Sequence, residues 1–587
     1  MEKSDHVDRL YNRMRLWEFP DQYVVEPSDG SAAPFLSISR CDGSMKLIDG
    51  VPGFNSLHAP QVMTFFGVVG IRSYLFLITE REFVGYHLGF PIFKIVSLKV
   101  FPCNNTIKDA PVEQRKLESE FSQILNEAEF THGLFFSYDV NITLSIQRLH
   151  ALGDETKLLP LWQQADPQFL WNHYMLEGLI DNKVNPYILP VVQGSFQCFQ
   201  STVHGYIINV ELIARRCTRR TGTRMWRRGA DCDGFVANFL ETEQIIQLNG
   251  GQTATFVQVR GSIPLIWEQV VDLTYNPKFK IMKVKESHQA TERHFLDLRK
   301  KYGRIFAVDL INKHGREGVL HEKYVSAMQH VIGDDVRYLH FDFHKICGDT
   351  DFGCLSILYH QIEAFLLKNR YLLLNERGEK LDQQLGVVRT NCIDCLDRTN
   401  VTQSLIARKM LESQLRRLGV FNAKETISRH PDLDTRCKIL WANHGDDISI
   451  QYSGTPALKG DFVRYGQRTF KGILYDTWSS LMRYYLNNFY DGTKQDAIDL
   501  LQGYYIVSLS QIMNPPRTKK KAIETIASIR LAAALVAAGF AFAVISLKRA
   551  RHDASNLVFS MMWLSVCVAV ASFVRANGRV FCNRPRL

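Results

Sequence analysis

Hydrophobic positions change rhythm three times along the chain. Up to about residue 185 they fall in short β-branched and aromatic runs, at 62–69, 74–78 and 92–100, broken by Gly, Pro and Asn; this predicts a strand-rich region. From about 186 to 510, strand-length apolar runs at 305–311 and 338–343 alternate with helix-period stretches at 355–368 and 399–418, the pattern of an α/β domain. The Pro-Pro and basic stretch 513–521 reads as a linker. Last come two uncharged runs, 531–547 and 557–574, apolar around the whole helix rather than along one stripe. At 17 and 18 residues they sit at the short end of the roughly 17–25 residues that a spanning helix needs.

Charge gives the hairpin an expected orientation. Arg517, Lys519, Lys520, Lys521, Arg530, Arg575, Arg579, Arg584 and Arg586 lie on the terminal side, nine basic residues against three (Lys548, Arg549, Arg551) in the connection. The positive-inside rule then places both ends in the cytosol. Ala534, Ala537, Ala538, Gly539 and Ala541 offer small surfaces for close helix packing.

Composition narrows the class of protein. With 46% hydrophobic and 22% charged residues the chain is not largely disordered, and its 587 residues exceed one core, so two or three domains are expected. A net charge of +10 suits an anionic partner, such as a membrane surface or phosphorylated substrate. The 12 cysteines are scattered, so reduced thiols are the default. The first 19 residues carry no signal-peptide core, which points to a cytosolic body.

The stretch 385–411, LGVVRTNCIDCLDRTNVTQSLIARKML, carries the candidate chemistry. Leu385, Val387 and Val388 belong to a buried strand; Val401/Leu405 and Ile406/Met410 mark a helix that Gly419 ends. Cys392 lies between them, five residues before Arg398. A loop of this length closing onto a helix N-terminus turns backbone N–H groups to one point and forms a phosphate-sized cradle. Cys392 is the expected nucleophile, its thiol lowered by helix end and guanidinium, and Arg398 the expected phosphate clamp. Asp394 is the first choice for the acid that protonates the leaving oxygen and Asp397 the second. Asn391 fixes the strand exit, Thr399 or Asn400 bonds the nucleophile, and Ile393, Cys395 and Leu396 complete the cradle. No metal or cofactor is required. The Cys392–Cys395 spacing also fits half a zinc site or a redox pair, but no second ligand pair follows, and Asp394 between the thiols opposes a thiolate.

RTNCIDCLDRTN resembles the signature of the Sac-domain (suppressor-of-actin) phosphoinositide phosphatases. The resemblance continues through WRRGAD (226–231), ANFLETEQ (237–244), RGSIPLIW (260–267), FDFH (341–344), QYSGTPALKGDF (451–462) and RYYLNNFYDGTKQDAIDL (483–500). The layout is most similar to the family's integral membrane phosphatidylinositol-4-phosphate phosphatase of endoplasmic reticulum and Golgi. It implies hydrolysis of phosphatidylinositol 4-phosphate, with weaker action on the 3-phosphate and on 3,5-bisphosphate lipids, through Cys392 and Arg398. Arg227, Arg228 and Lys459 are candidates to ring the pocket and meet the headgroup. A protein tyrosine phosphatase is disfavoured because Asn391 stands where that class usually has His. A lipid-binding tether at membrane contacts, with tethering proteins as partners, is the non-enzymatic alternative; no nucleic-acid partner is expected.

The expected fold is thus α+β: a β-rich N-terminal Sac subdomain (1–185) packed on an α/β catalytic domain with a Cys-x5-Arg phosphate loop (186–510). A basic linker (511–530), two transmembrane helices (531–574) and a cytosolic tail (575–587) complete it.

Overall fold

A computed structural model describes residues 9–28, 34–53, 59–103, 112–127, 132–275, 277–282, 284–348, 353–505, 522–549 and 555–586. The fold class is the mixed one expected. Strands β1 (Met14–Glu18), β2 (Gln22–Pro27), β3 (Phe35–Ser39), β4 (Met45–Ile48) and β5 (Gln61–Phe65) form an antiparallel sheet in the order β4-β3-β2-β1-β5. A larger antiparallel run takes in β6 (Val68–Ile71), β7 (Tyr74–His87), β8 (Phe90–Pro102), β9 (Leu134–Phe136), β10 (Val192–Val203), β11 (Tyr206–Arg216), β12 (Leu240–Leu248) and β13 (Thr253–Arg260). The sheet therefore crosses residue 185 without a break, through β9 and β10. A ribbon of β14 (Trp267–Gln269) and β15 (Phe279–Ile281) stands apart.

Past β13 the sheet turns parallel. There β20 (Gly386–Asn391) lies between β13 and β16 (Arg304–Asp309), and β17 (Val336–His340) pairs with β16; the short β18 (Leu372–Leu374) and β19 (Lys380–Asp382) hang from β13. Both faces of this parallel part are covered, so its strands are continuous apolar runs. Alternate residues go to opposite faces. Phe306, Val308 and Val388 join the core under α5 (Leu355–Asn369), α6 (Asp397–Arg417) and α7 (Pro431–Ser453); Ile305, Ala307 and Val387 join the one under α3 (Val284–Tyr302) and α4 (Gly318–Met328).

Several expectations needed correction. The run 62–69 is two strands in different sheets, broken at Phe66 and Gly67, where a Cβ on Gly67 would lie 2.6 Å from Leu189 Cδ2. Before residue 185 the chain also holds helices α1 (Val112–Glu127) and α2 (His173–Asp181). The run 338–343 stops being a strand at His340, and Asp342 caps a short helix through the Lys345 N–H. Cys347 and Cys354 are joined in a disulfide, where reduced thiols were expected. Short-range placement brings their Cα atoms to 5.5 Å.

The C-terminal part begins with α8 (Phe470–Phe489) and α9 (Asp491–Leu501). Helices α10 (Ala522–Arg549) and α11 (Ser555–Ala576) follow, both long and apolar enough to cross a membrane. They meet at Gly539, where a Cβ would come within 2.7 Å of Cys567 Sγ, and at Ala543, whose carbonyl accepts from Ser560 Oγ (2.9 Å). Of the five small residues proposed for this contact, Gly539 alone is buried. The tail after α11 docks on the body. Asn583 donates its N–H to the Asn488 carbonyl (2.6 Å), its side-chain oxygen accepts the Thr493 N–H (2.8 Å), and Asp496 accepts the Arg586 N–H (2.8 Å). Gly492 and Gly578 permit the close approach, since a Cβ on either would lie 2.1 Å from Asn583 Oδ1 or the Asp272 carbonyl oxygen respectively.

Candidate active site

The loop leaves the carboxyl end of β20 at the middle of the parallel strands, where loops of α/β sheets converge on ligands. A buried polar chain fixes its departure. Asn391 donates to Asp309 (2.6 Å) and accepts from Arg389 (2.7 Å); Arg389 also donates to the Ser262 carbonyl (2.6 Å) and to His294 (3.2 Å). His294 stays neutral, because burial and then the Arg389 charge push its imidazole far down.

The loop then doubles back on itself. Cys395 adopts a left-handed φ of 54°, a conformation that costs a non-glycine residue about 1 kcal/mol. The turn aims the Cys395 N–H at Cys392 Sγ (3.1 Å), and Thr399 donates its hydroxyl to the same sulfur (3.4 Å). Burial alone would push the Cys392 thiol up. The Cys395 thiol, the Arg398 charge and the Thr399 hydroxyl outweigh it and bring Cys392 down to about 6, while burial sends Cys395 well up. One thiol of the pair is thus the anion at neutral pH, and it is the one at the start of the loop.

Two further guanidiniums set the field. Arg398 places Nη1 and Nη2 on the two carboxylate oxygens of Glu317 (3.0 and 2.9 Å) and Nη1 on the Leu310 carbonyl (3.0 Å). Among the described residues that uses three of its five N–H groups, leaving Nε and one Nη2 proton, the edge that can grip an oxyanion side-on. Arg260, fully buried at the end of β13, contacts His444 (2.5 Å) and has Nε and Nη1 without a partner among the described residues. Burial lowers it to about 10, against the pull of the Cys395 and Cys392 sulfurs.

The two aspartates differ. Asp394 is clamped by Arg224 (2.7 Å) and Arg228 (2.5 Å); burial would raise its carboxyl, but the two guanidiniums hold it well below the usual carboxylate range. Asp397, in the first turn of α6, accepts the Leu458 N–H (2.7 Å) and meets one arginine, Arg483, at 3.4 Å. The strand–loop–helix placement thus brings a lowered thiol, a forked arginine and an aspartate of the first helical turn into one short segment.

A family profile for the SacI homology domain matches residues 63–348. The chain is 63% identical over 594 residues to the phosphoinositide phosphatase SAC7 of Arabidopsis thaliana, covering 100% of this chain and 99% of that protein. It is 33% identical over 583 residues to the phosphatidylinositol-3-phosphatase SAC1-A of Danio rerio, covering 98% of each. It is 33% identical over 487 residues to the phosphatidylinositol-3-phosphatase SAC1 of Saccharomyces cerevisiae, covering 80% of this chain and 77% of that one. The chain belongs to the Sac-domain phosphoinositide phosphatases.

Within this phosphatase the other residues singled out from sequence take four different placements. Ile393, Cys395, Leu396 and Thr399 lie in or directly after the loop, and the Ile393 carbonyl accepts from Arg228 (3.3 Å). Asn400 instead binds the Trp441 carbonyl (3.0 Å) and fastens α6 to α7, with Gly445 leaving room for it. Arg227 turns away from the loop to Asp499 of α9 (2.7 and 2.8 Å). Lys459, at a left-handed φ of 60°, sends its N–H to Asp476 (3.0 Å) and follows Leu458, which bonds Asp397. Sequence reasoning passed over Glu317, Arg224, Arg260 and Arg483. Arg260 and Arg483 open quoted motifs and Arg224 sits beside one, which was the available signal; Glu317 is brought in by topology from 81 residues away.

Among the described residues two groups of side chains converge with metal-ligand spacing, Asp309/His321/His340 and His204/Glu425/His430. In the second, both imidazoles already share Glu425 Oε1 (2.7 and 2.6 Å). In the first, Asp309 is taken up by Asn391 and Tyr338. The chemistry derived below uses neither.

Proposed function

We propose that this phosphatase removes the 4-phosphate of phosphatidylinositol 4-phosphate through a phosphocysteine on Cys392. The reading rests above all on Cys392 Sγ, held at the mouth of a helix by the Cys395 N–H and the Thr399 hydroxyl, with its thiol lowered to about 6. The thiolate attacks phosphorus in line; as the S–P bond forms, the P–O bond to inositol breaks. The free edge of Arg398 holds the equatorial oxygens while charge spreads over them, and Glu317 keeps that edge turned inward. Arg224 and Arg228 keep Asp394 ionised, so it has no proton to give; we assign proton donation to Asp397, the aspartate with the weaker ion pair. Water then attacks the phosphocysteine, Asp397 takes its proton, and inorganic phosphate leaves with the thiolate restored.

The isomer choice rests on the family resemblance, with phosphatidylinositol 3-phosphate and 3,5-bisphosphate as secondary substrates; two of the relatives carry names for 3-phosphatase action. The same reading assigns residues 1–185 and 186–510 to an N-terminal and a catalytic unit. It places the hairpin in endoplasmic reticulum and Golgi membranes with both ends cytosolic, in keeping with the nine-to-three distribution of flanking basic residues. Phosphate release by the full chain in vesicles carrying each monophosphorylated inositol lipid is the direct test. The 4-phosphate is expected to turn over fastest, and preference for the 3-phosphate would overturn the isomer assignment alone. Unchanged release by Cys392→Ser would overturn the mechanism.

A further inference from the structure

The face of α8 turned away from the body is apolar. Phe470, Leu474, Trp478, Leu481 and Tyr485 are 50–78% exposed. At 3.6 residues per turn they fall within an arc of about 80°, running the length of the helix. Contiguous apolar surface of this kind marks an interaction site, and three observations say what covers it. First, Tyr484 and Phe489 of α8 line one cavity of about 1000 Å³ together with Ala532, Val536 and Phe540 of α10 and Val574 of α11. The end of α8 thus lies beside the first half of the first apolar span and the last turns of the second. Second, the tail beyond α11 is pinned to the α8–α9 junction through Asn488, Thr493 and Asp496, which fixes the body against the end of the hairpin. Third, the stripe combines two aromatic rings with a polar tip (Trp478 and Tyr485) with aliphatic neighbours and an exposed Lys471, the composition of a helix lying at a membrane surface.

We propose that the α8 stripe sits in the headgroup–acyl boundary of the bilayer that holds the hairpin. The inference rests on the reading of α10 and α11 as membrane-spanning. Its consequence reaches the site directly. Arg483, on the inner face of α8, donates to Thr455 (2.7 Å), to the Pro456 carbonyl (2.7 Å) and to Asp397 (3.4 Å). The helix that touches lipid therefore also braces the catalytic loop, and the loop is presented to headgroups at a fixed height.

Tryptophan quenching tests this without turnover, so it stands apart from any failure of the phosphatase assignment. The full chain and Trp478→Phe are reconstituted in phosphatidylcholine vesicles containing lipid brominated on the acyl carbons beneath the headgroup. Wild type is expected to lose a larger fraction of its fluorescence than Trp478→Phe. An equal or smaller loss, or a difference seen only with aqueous iodide, would overturn the proposal and leave the stripe to water, a partner protein or a second copy. The double variant Leu474→Glu/Leu481→Glu supplies a second readout. Release from phosphatidylinositol 4-phosphate in vesicles is expected to fall about tenfold as surface residence is lost, while release from a short-chain soluble analogue stays the same. Equal rates on vesicles, or equal losses on both substrates, would contradict it.

Discussion

Beneath the loop that follows β20, guanidinium and carboxylate groups are buried; along α8, phenylalanine, leucine and tryptophan face outward. Each region reverses the usual sorting of polar and apolar groups. Taking an ion out of water costs several kcal/mol, which an ion pair rarely recovers as stability. The cluster of Arg224, Arg228, Arg260, Arg389 and Arg398 is therefore better understood as a preset electrostatic field for an anion than as a brace for the fold. Leaving a large apolar side chain in water forgoes about 1.5–3 kcal/mol of burial, and five in one arc imply a cover. The polar region is complete within the protein, whereas the apolar one is completed from outside. Arg483 joins them, with its head on the catalytic loop and its backbone in the striped helix.

The comparison can be broken first at the clamp. Arg398→Lys keeps the charge but loses the fork, and phosphate release is expected to fall about a thousandfold in kcat while Cys392 remains readily alkylated. A small loss would mean that charge alone suffices. Next, Asp397→Asn should slow release from inositol lipid about a hundredfold, yet leave an aryl phosphate with a good leaving group nearly untouched. The same pattern in Asp394→Asn, with Asp397→Asn little changed, would return the acid role to Asp394.

Among the described residues the Glu317 carboxylate bonds only Arg398 and the Asn312 N–H, so Glu317→Gln should act through orientation. About a tenfold loss is expected, mostly in KM, with the alkylation profile of Cys392 unchanged. The smallest effect is on acid stability. Asp394 has a lowered folded-state pKa, so its ion pairs stabilise the protein above the unfolded value near about 4, and this contribution is lost as pH falls further. In detergent, Asp394→Asn should be less stable by about 3 kcal/mol at neutral pH and flatter with pH below that point.

What the sequence disclosed follows from range. Val387 and Val388, followed by an apolar period from Val401 to Met410, place a loop between strand and helix, because both signals lie within one segment. Cys392 and Arg398 stand out by spacing within the same segment. Glu317 gave no local sign: an acidic residue ahead of a surface helix looks like solvated charge until β16 and β20 pair in parallel and carry it to Arg398. Arg227 and Arg228 are adjacent in one basic run, and only the packing of α9 decides that one meets Asp499 and the other Asp394. The docking of the tail was equally hidden, since it depends on the absence of a Cβ at Gly492 and Gly578.

The central claim is that one sulfur, kept as an anion, takes the phosphoryl group. Rapid acid quench of the full chain with phosphatidylinositol 4-phosphate, followed by mass spectrometry of its peptides, reads this directly. Phosphate on the peptide at Cys392, accumulating in Asp397→Asn and absent in Cys392→Ser, is the expected result. Phosphate release at the normal rate with Cys392 unmodified at every time point would contradict it.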